Sequence, residues 1–353
     1  MKSIRNPNLF LFILPVLIFS LGYVTILSTS PERAKIQLIY FLIGYGIYIL
    51  VSFIDVRFFR YYWKIIYIIT LLLLFLTYVA GDVRFGASRW FNLGLFVFQP
   101  SEFAKITMII VLSSMLVSNK DTLRNYKFLL KTILVILSIL ILVFIQPDLG
   151  TTLILLGSTM LIFFYAGLNK VYFLVTAMVI GVFSRPIWSL LKAYQKERIL
   201  VFLNPALDVL GSGYNVIQAQ IAVGSGGFLG KGFGHGTQSQ YNFLPAHWTD
   251  FAFASFAEEW GFLGVVIMMI LYTLLLAVLL YAAYSTKEAY GALIALGVFT
   301  VFLVQFIINL GMNLGVLPVT GIPLPLVSYG GSSLLSSMIL IGLVQSVWSG
   351  RKQ

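Results

Sequence analysis

Residues 132–145 read TILVILSILILVFI, and with the residues on either side they form an almost wholly apolar segment over 127–146. A helix of about 20 such residues crosses a hydrocarbon core about 30 Å thick. Similar stretches recur along the whole chain, which is 59% hydrophobic and only 10% charged. Soluble domains carry about 25% charged residues. The sequence therefore predicts an all-α integral membrane protein.

About ten such segments can be placed, which predicts a single polytopic membrane domain over residues 1–353. They lie at roughly 9–28, 36–54, 63–80, 100–118, 127–146, 149–167, 169–185, 255–283, 289–312 and 329–349. One long loop, about residues 186–254, separates the seventh segment from the eighth. The first segment has no small-x-small cleavage pattern after it, which favours a retained helix over a signal peptide. Cysteine is absent, so thiolate metal sites and disulfides are excluded.

The basic residues predict the orientation. With the N-terminus in the cytoplasm, more than half of the 23 Lys and Arg residues fall in cytoplasmic segments. The short loops on the other side hold only Arg33, Lys35, Arg84 and Arg89. By the positive-inside rule, both termini are expected in the cytoplasm and the long loop outside it. The net charge of +11 is thereby explained by topology, and no nucleic-acid partner is predicted.

Two helix starts carry charged residues at the edge of the apolar segments. In FQPSEFAK, Glu102 and Lys105 are three residues apart on one helix face, which is typical of a mutually neutralised pair. The alternative is a polar cavity wall beside a charged substrate. In QPDLG, Asp148 stands in the first turn of the sixth segment, where an acid caps the helix and complements its dipole.

An outside loop, FGASRWFNLG, places Arg89 beside Trp90. A belt tryptophan next to a snorkelling arginine explains this pattern. A site for a phosphorylated lipid headgroup is the alternative, because guanidinium binds phosphate oxygens in a bidentate manner.

The long loop ends in three acids at one helix entrance. Asp250 precedes the eighth segment, and Glu258 and Glu259 follow about two turns later. If the helix begins at Asp250, the 100° step per residue makes Glu258 the nearer partner of Asp250. A carboxylate that is desolvated among acids has a raised pKa and suits a general base.

The remaining patterns are weaker. The glycine-rich run around Lys231 does not fit the phosphate-binding P-loop spacing. His235 and His247 lack further ligands at metal-binding spacing, so no metal site is predicted. Between the last two segments, Pro318, Pro323 and Pro325 predict either a re-entrant wall or a plain connecting loop.

Five motifs in this order resemble those of the SEDS family (shape, elongation, division and sporulation) over roughly residues 81–345. They are FQPSEFAK, QPDLGT, IAVGSGGFLGKGFGHGTQSQ, FLPAHWTDF with AEEWGFLG, and LPVTGIPLPLVSYGGSS. GTQSQ before FLP resembles the elongation branch more than the division branch. The resemblance implies a ten-helix glycosyltransferase of the bacterial cytoplasmic membrane, which polymerises the undecaprenyl-linked disaccharide lipid II into peptidoglycan.

The same resemblance implies roles for single residues. The essential aspartate of the family falls on Asp250, and other functional positions fall on Arg89, Trp90, Glu102, Lys105 and Glu258. Relatives usually have Glu and His where this chain has Ala246 and Trp248. The aspartate therefore survives, while any role of those two neighbours is in doubt.

The mechanism expected from this resemblance is deprotonation of a sugar hydroxyl by Asp250, with Arg89, Lys105 and Lys231 offsetting the pyrophosphate charge. A class B penicillin-binding protein, other membrane proteins of the elongation machinery and membrane lipid are the expected partners. No cofactor is certain, and a pyrophosphate leaving group leaves Mg²⁺ or Mn²⁺ open. A lipid II flippase, with Glu102, Lys105 and Asp148 lining a headgroup path, and a non-catalytic scaffold for a cell-wall synthase are the alternatives. The cytoplasmic halves of the segments are nearly free of polar groups in the sequence, which favours chemistry at the outer surface over a flippase.

Overall fold

The structure, a computed structural model, describes residues 7–84, 87–92, 94, 97–118, 125–204 and 211–350. Its long helices are α1 (Leu9–Thr29), α2 (Pro31–Phe53), α3 (Val56–Ala80), α4 (Pro100–Ser118), α5 (Tyr126–Ile145), α6 (Leu149–Tyr165), α7 (Lys170–Val182), α12 (Ala252–Ser285), α13 (Ala289–Asn313) and α14 (Gly331–Gly350). The long loop holds the shorter helices α8 (Ser184–Leu190), α9 (Ala193–Leu203), α10 (Ser212–Ser225) and α11 (Thr237–Gln240).

The apolar segments predicted from the sequence are all helical, which confirms the all-α membrane fold. Among the described residues, eight helices are long and apolar enough to span a membrane. The pair α7 and α8, bent by 55°, would make a ninth, and the 17 residues of α6 form a shorter apolar helix. Helices α4 and α14 are mostly buried, whereas α3 is mostly exposed, so α4 and α14 form the centre and α3 the lipid-facing edge.

The sequence predicted which segments are helical better than it predicted the residues at which the helices begin. Helix α3 begins at Val56 rather than near residue 63, because Asp55 caps it by accepting a hydrogen bond from Arg57 N at 3.0 Å. Helix α2 begins at Pro31, a residue whose fixed φ suits the first helical turn. Both extensions carry basic residues that a hydropathy pattern leaves out of the span.

Helix α12 is broken within its 34 residues at Gly261, which has φ 63° and ψ −163°. Such a break leaves backbone groups without helical partners. The glycine-rich run takes them up: Lys231 N donates to Glu258 O at 3.0 Å, and Phe262 N donates to Gly227 O at 2.9 Å. A Cβ on Gly261 would lie 2.2 Å from Gly230 N, so only glycine permits this approach. Gly226 and Gly230 of the loop likewise leave no room for a Cβ, since it would lie 2.1 Å from Ala257 O and Glu259 O of α12 respectively.

The segment between α13 and α14 is a re-entrant wall rather than a surface loop. Ile322, Leu324 and Val327 are buried, and the Tyr272 hydroxyl of α12 donates to Pro325 O. Tyr272 also stacks on Phe306 of α13 with ring centroids 4.6 Å apart. Phe306 lies about 10 Å below the end of α13 at 1.5 Å per residue. The irregular backbone therefore enters the bundle and is covered by protein, as such backbone must be in a membrane.

A small antiparallel sheet joins α3 to α4. Its strands are β1 (Asp82–Arg84), β2 (Ala87–Asn92) and β3 (Val97–Phe98), in the order β1-β2-β3. Asp82 pairs with Trp90 and Phe91 pairs with Phe98. The sheet places Arg89 over the start of α6. We call this side of the molecule, where α4, α6, α12 and α14 begin, the Asp250 end.

Candidate active site at the Asp250 end

Asp250 lies in the turn that leads into α12. Thr249 N and Phe251 N both donate to Ala246 O, at 3.0 and 3.3 Å, which closes the turn around Asp250. The carbonyl oxygen of Asp250 accepts from the side chains of Asn309 and Asn313, each at 3.1 Å. The backbone of Asp250 is therefore fixed on both sides, and its carboxylate projects from a rigid support.

The Asp250 carboxylate lies against Gly321 of the re-entrant wall, together with the guanidinium of Arg198. A Cβ on Gly321, which has φ +73°, would lie 3.4 Å from Asp250 Oδ2 and 3.6 Å from Arg198 Nη1. Burial raises the pKa of the Asp250 carboxyl, while the charges of Arg198 and Arg89 act in the opposite direction. The direction of this pKa shift and the contribution of desolvation agree with the prediction, whereas the predicted contribution of neighbouring acids is absent.

Arg198 was missed by the sequence analysis. It lies on α9 within the long loop, where its guanidinium is 5.7 Å from the ring centroid of Tyr194 one turn earlier. Burial lowers the pKa of Arg198, and the negative charge of Asp250 opposes that shift. Arg198 belongs to no motif, and the spacing of Tyr194 and Arg198 on one helix face was the only local signal.

Arg89 is bound to protein rather than extended into a lipid interface. Its Nε donates to Gln146 O at 3.2 Å, and its Nη2 donates to Pro147 O and to the Tyr194 hydroxyl, the latter at 2.9 Å. Its side chain is only 16% exposed, so the snorkelling interpretation is wrong. The neighbouring Trp90 has its ring centroid 5.9 Å from the Arg89 guanidinium carbon. Tyr194 thus connects Arg89 to Arg198.

Asp148 caps α6, as predicted. Its Oδ1 accepts from Thr151 N at 3.2 Å and lies 3.8 Å from Arg89 Nη1. Its Oδ2 accepts from the hydroxyls of Ser101 and Thr151 and from Gln99 Nε2, at 2.9 to 3.2 Å. Asp148 therefore also joins α6 to the start of α4.

The predicted pair of Glu102 and Lys105 is confirmed and lies deeper in the bundle. Lys105 Nζ is 2.7 Å from Glu102 Oε2, and both side chains are buried. Gln305 Oε1 of α13 accepts from Lys105 at 3.3 Å, and the Ser336 hydroxyl of α14 donates to Glu102 at 2.8 Å. The pair is neutralised within the protein, so Lys105 has little charge left to offer a pyrophosphate.

Glu258 is not the partner of Asp250, and that prediction was wrong. Glu258 Oε1 accepts from Lys231 Nζ at 2.7 Å, from the Thr237 hydroxyl at 3.1 Å and from Gln238 N at 3.0 Å. The helix begins at Ala252 rather than at Asp250, and the glycine-rich run folds back over Glu258. Lys231 and Glu258 therefore fasten the loop to α12, and the loop lysine is paired.

The ring nitrogens of the two histidines contact backbone carbonyl oxygens of their own loop. His247 Nδ1 is 2.9 Å from Leu244 O, and its ring lies against Trp248. His235 Nδ1 is 2.9 Å from Phe233 O. Within the described ranges, no three His, Cys, Asp or Glu side chains are grouped so as to hold a metal ion.

Trp248, one of the two departures noted in the sequence, has a clear contact. The guanidinium carbon of Arg33 from α2 lies 3.4 Å from its ring centroid. Ala246, the other departure, adopts the left-handed conformation with φ +52°.

Comparison with known proteins places this geometry in context. The chain matches the cell cycle protein family of FtsW, RodA and SpoVE over residues 7–353. It is 38% identical over 357 residues to the peptidoglycan glycosyltransferase MrdB of Escherichia coli K12, covering 98% of this chain and 94% of that one. A chain from a peptidoglycan synthase complex that coordinates polymerization and crosslinking has a TM-score of 0.87 at 34% identity, with 99% of both chains covered. The crystal structure of the rod shape determining protein RodA of Thermus thermophilus has a TM-score of 0.75 at 31% identity, again with 99% of both chains covered.

Proposed function

The chain belongs to the FtsW, RodA and SpoVE family, the SEDS family, and on that premise we propose that it polymerises lipid II into peptidoglycan glycan strands. The relatives' names give the enzyme class, peptidoglycan glycosyltransferase. The chain is a multi-pass protein of the inner membrane. In our proposal both termini face the cytoplasm and the Asp250 end faces outward, as the positive-inside rule requires.

The observation that carries the proposal is the state of Asp250. Among the described residues no hydrogen-bond donor contacts its carboxylate, which lies at a helix entrance beside Arg198. Its pKa is raised by burial. A carboxylate with a raised pKa and open hydrogen-bonding capacity suits a general base near neutral pH.

In the proposed reaction, Asp250 accepts the proton of the C4 hydroxyl of an incoming GlcNAc. The C4 oxygen forms a bond to the anomeric carbon of a lipid-linked MurNAc, and the bond from that carbon to the pyrophosphate oxygen breaks with inversion. Undecaprenyl pyrophosphate leaves with the electron pair of that bond. The acceptor's proton ends on Asp250, so the step is balanced.

Arg198 and Arg89 are the proposed cations for the pyrophosphate. Arg198 faces Asp250 across Gly321, and Tyr194 connects the two arginines. Preorganised cations of this kind stabilise charge that develops in the transition state. Lys105 and Lys231 instead neutralise buried glutamates in this proposal, because the ammonium nitrogen of each is 2.7 Å from a glutamate oxygen.

We further propose that a class B penicillin-binding protein acts with this chain in cell elongation, alongside other membrane proteins of the elongation machinery. The GTQSQ motif and the similarity to MrdB and RodA support elongation. The related chain from a peptidoglycan synthase complex supports a cross-linking partner.

One observation, the presence of buried polar residues away from the Asp250 end, supports the flippase alternative. The sequence suggested that the half of the bundle away from the Asp250 end lacks polar groups, and this was wrong. Ser113 and Tyr290 are buried there, and Gln345 is buried with neither amide atom partnered among the described residues. Buried polar groups at that depth are expected of a headgroup path.

The test is polymerisation of purified lipid II by the protein with its penicillin-binding partner, comparing wild type with Asp250→Asn. Glu32→Gln is the matched control, because Glu32 is a carboxylate at the same end with 83% of its side chain exposed. We expect the Asp250 variant to lose polymerisation by about 10³-fold, within the range for a general base, while it folds and binds its partner.

Three outcomes would oppose the proposal. Polymerisation unchanged in Asp250→Asn would remove Asp250 as the base. Polymer made by the partner alone, with this chain needed only for assembly, would support the scaffold. Transport of labelled lipid II across liposomes without polymerisation would support the flippase.

A further inference from the structure

Helix α13 carries three buried carboxamides on one face. Gln305, Asn309 and Asn313 are spaced four residues apart, and each has 1% or less of its surface exposed. Residues at this spacing lie one above another along a helix. A buried amide is costly unless its hydrogen bonds are made, so the partners of these side chains indicate what they do.

Asn309 joins Asp250 to the re-entrant wall. Its Nδ2 donates to Asp250 O at 3.1 Å and to Ile322 O at 2.7 Å. Ile322 follows Gly321, the residue on which the Asp250 carboxylate lies. One side chain therefore fixes both the residue that carries the carboxylate and the backbone beneath that carboxylate.

Asn313 joins Asp250 to the first turn of α12. Its Nδ2 donates to Asp250 O at 3.1 Å, and its Oδ1 accepts from Ala254 N at 3.2 Å. Phe251, at the N-cap position of α12, makes no side-chain cap hydrogen bond. Asn313 therefore caps α12 from a neighbouring helix, and Asp250 is not needed for that purpose.

From these contacts we propose that Asn309 and Asn313 are positioning residues of the transfer reaction, which hold the Asp250 carboxylate against Gly321 and opposite Arg198. This inference rests on the proposed function. Both side chains act through the backbone, Asn309 through Asp250 and the wall and Asn313 through Asp250 and the first turn of α12, and in this proposal neither contacts substrate. An error of about 1 Å in the position of a reacting group can cost about 10²-fold in rate.

The experiment measures kcat, KM and the pH profile of lipid II polymerisation for Asn309→Ser and Asn313→Ser, each in complex with the partner. Thr300→Val is the control, because Thr300 is equally buried on α13 and, among the residues that the structure describes, its hydroxyl bonds only within its own helix, to Gly297 O. We expect kcat to fall about 10- to 100-fold with KM within twofold of wild type. The control should retain wild-type kcat.

The pH profile separates positioning from general damage. A loosened Asp250 becomes better hydrated, so its raised pKa falls toward the usual value and the acidic limb moves to lower pH. A variant that is merely unstable has a lower rate at every pH, but the acidic limb of its pH profile stays in place. If a serine variant does not fold, the glutamine variant at the same position, which keeps the amide, is measured by the same criteria.

Wild-type kcat in both folded variants would overturn the inference, and so would a raised KM at unchanged kcat. Asp250→Asn is measured in parallel to keep two failures apart. If that variant remains active, the proposed function fails. If it is inactive while both asparagine variants behave as wild type, only the positioning inference fails.

Discussion

Asp148 and Asp250 are two acids at the same end of the molecule, each just before a helix, and they are used differently. Asp148 caps α6 itself and accepts hydrogen bonds from Gln99, Ser101 and Thr151. The Asp250 carboxylate accepts none from the described residues, because Asn313 caps α12 in its place. The two acids thus differ in what caps the helix that follows them. Asp148 caps its own helix, whereas Asn313 caps the helix after Asp250 and leaves the Asp250 carboxylate available for chemistry.

The largest effect should come from removing the structural acid. Asp148→Ala removes a helix cap and leaves several buried donors without an acceptor, which costs about 3 kcal/mol of folding free energy. Thermal unfolding in detergent should show a midpoint lowered by several degrees. Asp250→Ala is the matched comparison and should leave that midpoint unchanged or higher. An equal loss in both variants would end the distinction between the two acids.

A middle-sized effect should appear in the pH profile of Arg198→Gln. The positive charge of Arg198 opposes the burial that raises the pKa of Asp250. Removing the charge therefore raises that pKa further, so the base is protonated up to a higher pH. The acidic limb of kcat should move upward, whereas Lys196→Gln on the same helix should leave it in place. An unmoved limb in Arg198→Gln would mean that Arg198 does not act on the base.

The smallest effect concerns the turn that carries Asp250. Ala246 adopts φ +52°, a conformation that costs an L-residue about 1 kcal/mol and that glycine adopts readily. Ala246→Gly should change the thermal midpoint by no more than a few degrees and keep polymerisation within twofold. Ala246→Val should lower both, because a β-branched residue fits this conformation poorly. Equal behaviour of the two variants would show that the turn does not hold Asp250.

Much of the fold could be predicted because lipid imposes a minimum apolar length on each span. The break in α12 could not, since Gly261 stands in an apolar run that reads as ordinary helix. Its cause lies in the packing of residues 227–232 against α12, which is remote in sequence. The helices of the long loop were missed because they are short and their apolar content is ordinary, so hydropathy does not distinguish them from loop.

The candidate site was predicted where the contacts are local. Glu102 with Lys105 and the cap at Asp148 follow from spacing within a single helix turn. Arg198 and the two asparagines could not be found this way, because their roles arise only when α9, α13 and the re-entrant wall meet. Glu258 was misassigned because the geometry of one helix says nothing about a loop that returns to cover it.

The length of α12 sets the depth at which the proposed chemistry takes place. Residues 262–285, below the break, measure about 36 Å at 1.5 Å per residue, enough to cross a hydrocarbon core of about 30 Å. In the proposed orientation, with residues 262–285 spanning the hydrocarbon, the part of α12 before Gly261 stands above it, at the level of lipid phosphates. The length of residues 262–285 thus sets the distance of Asp250 from the bilayer centre. In the proposal, this distance matches that of a lipid-linked pyrophosphate whose tail stays in the bilayer. Bilayer thickness thereby becomes a determinant of whether base and substrate meet.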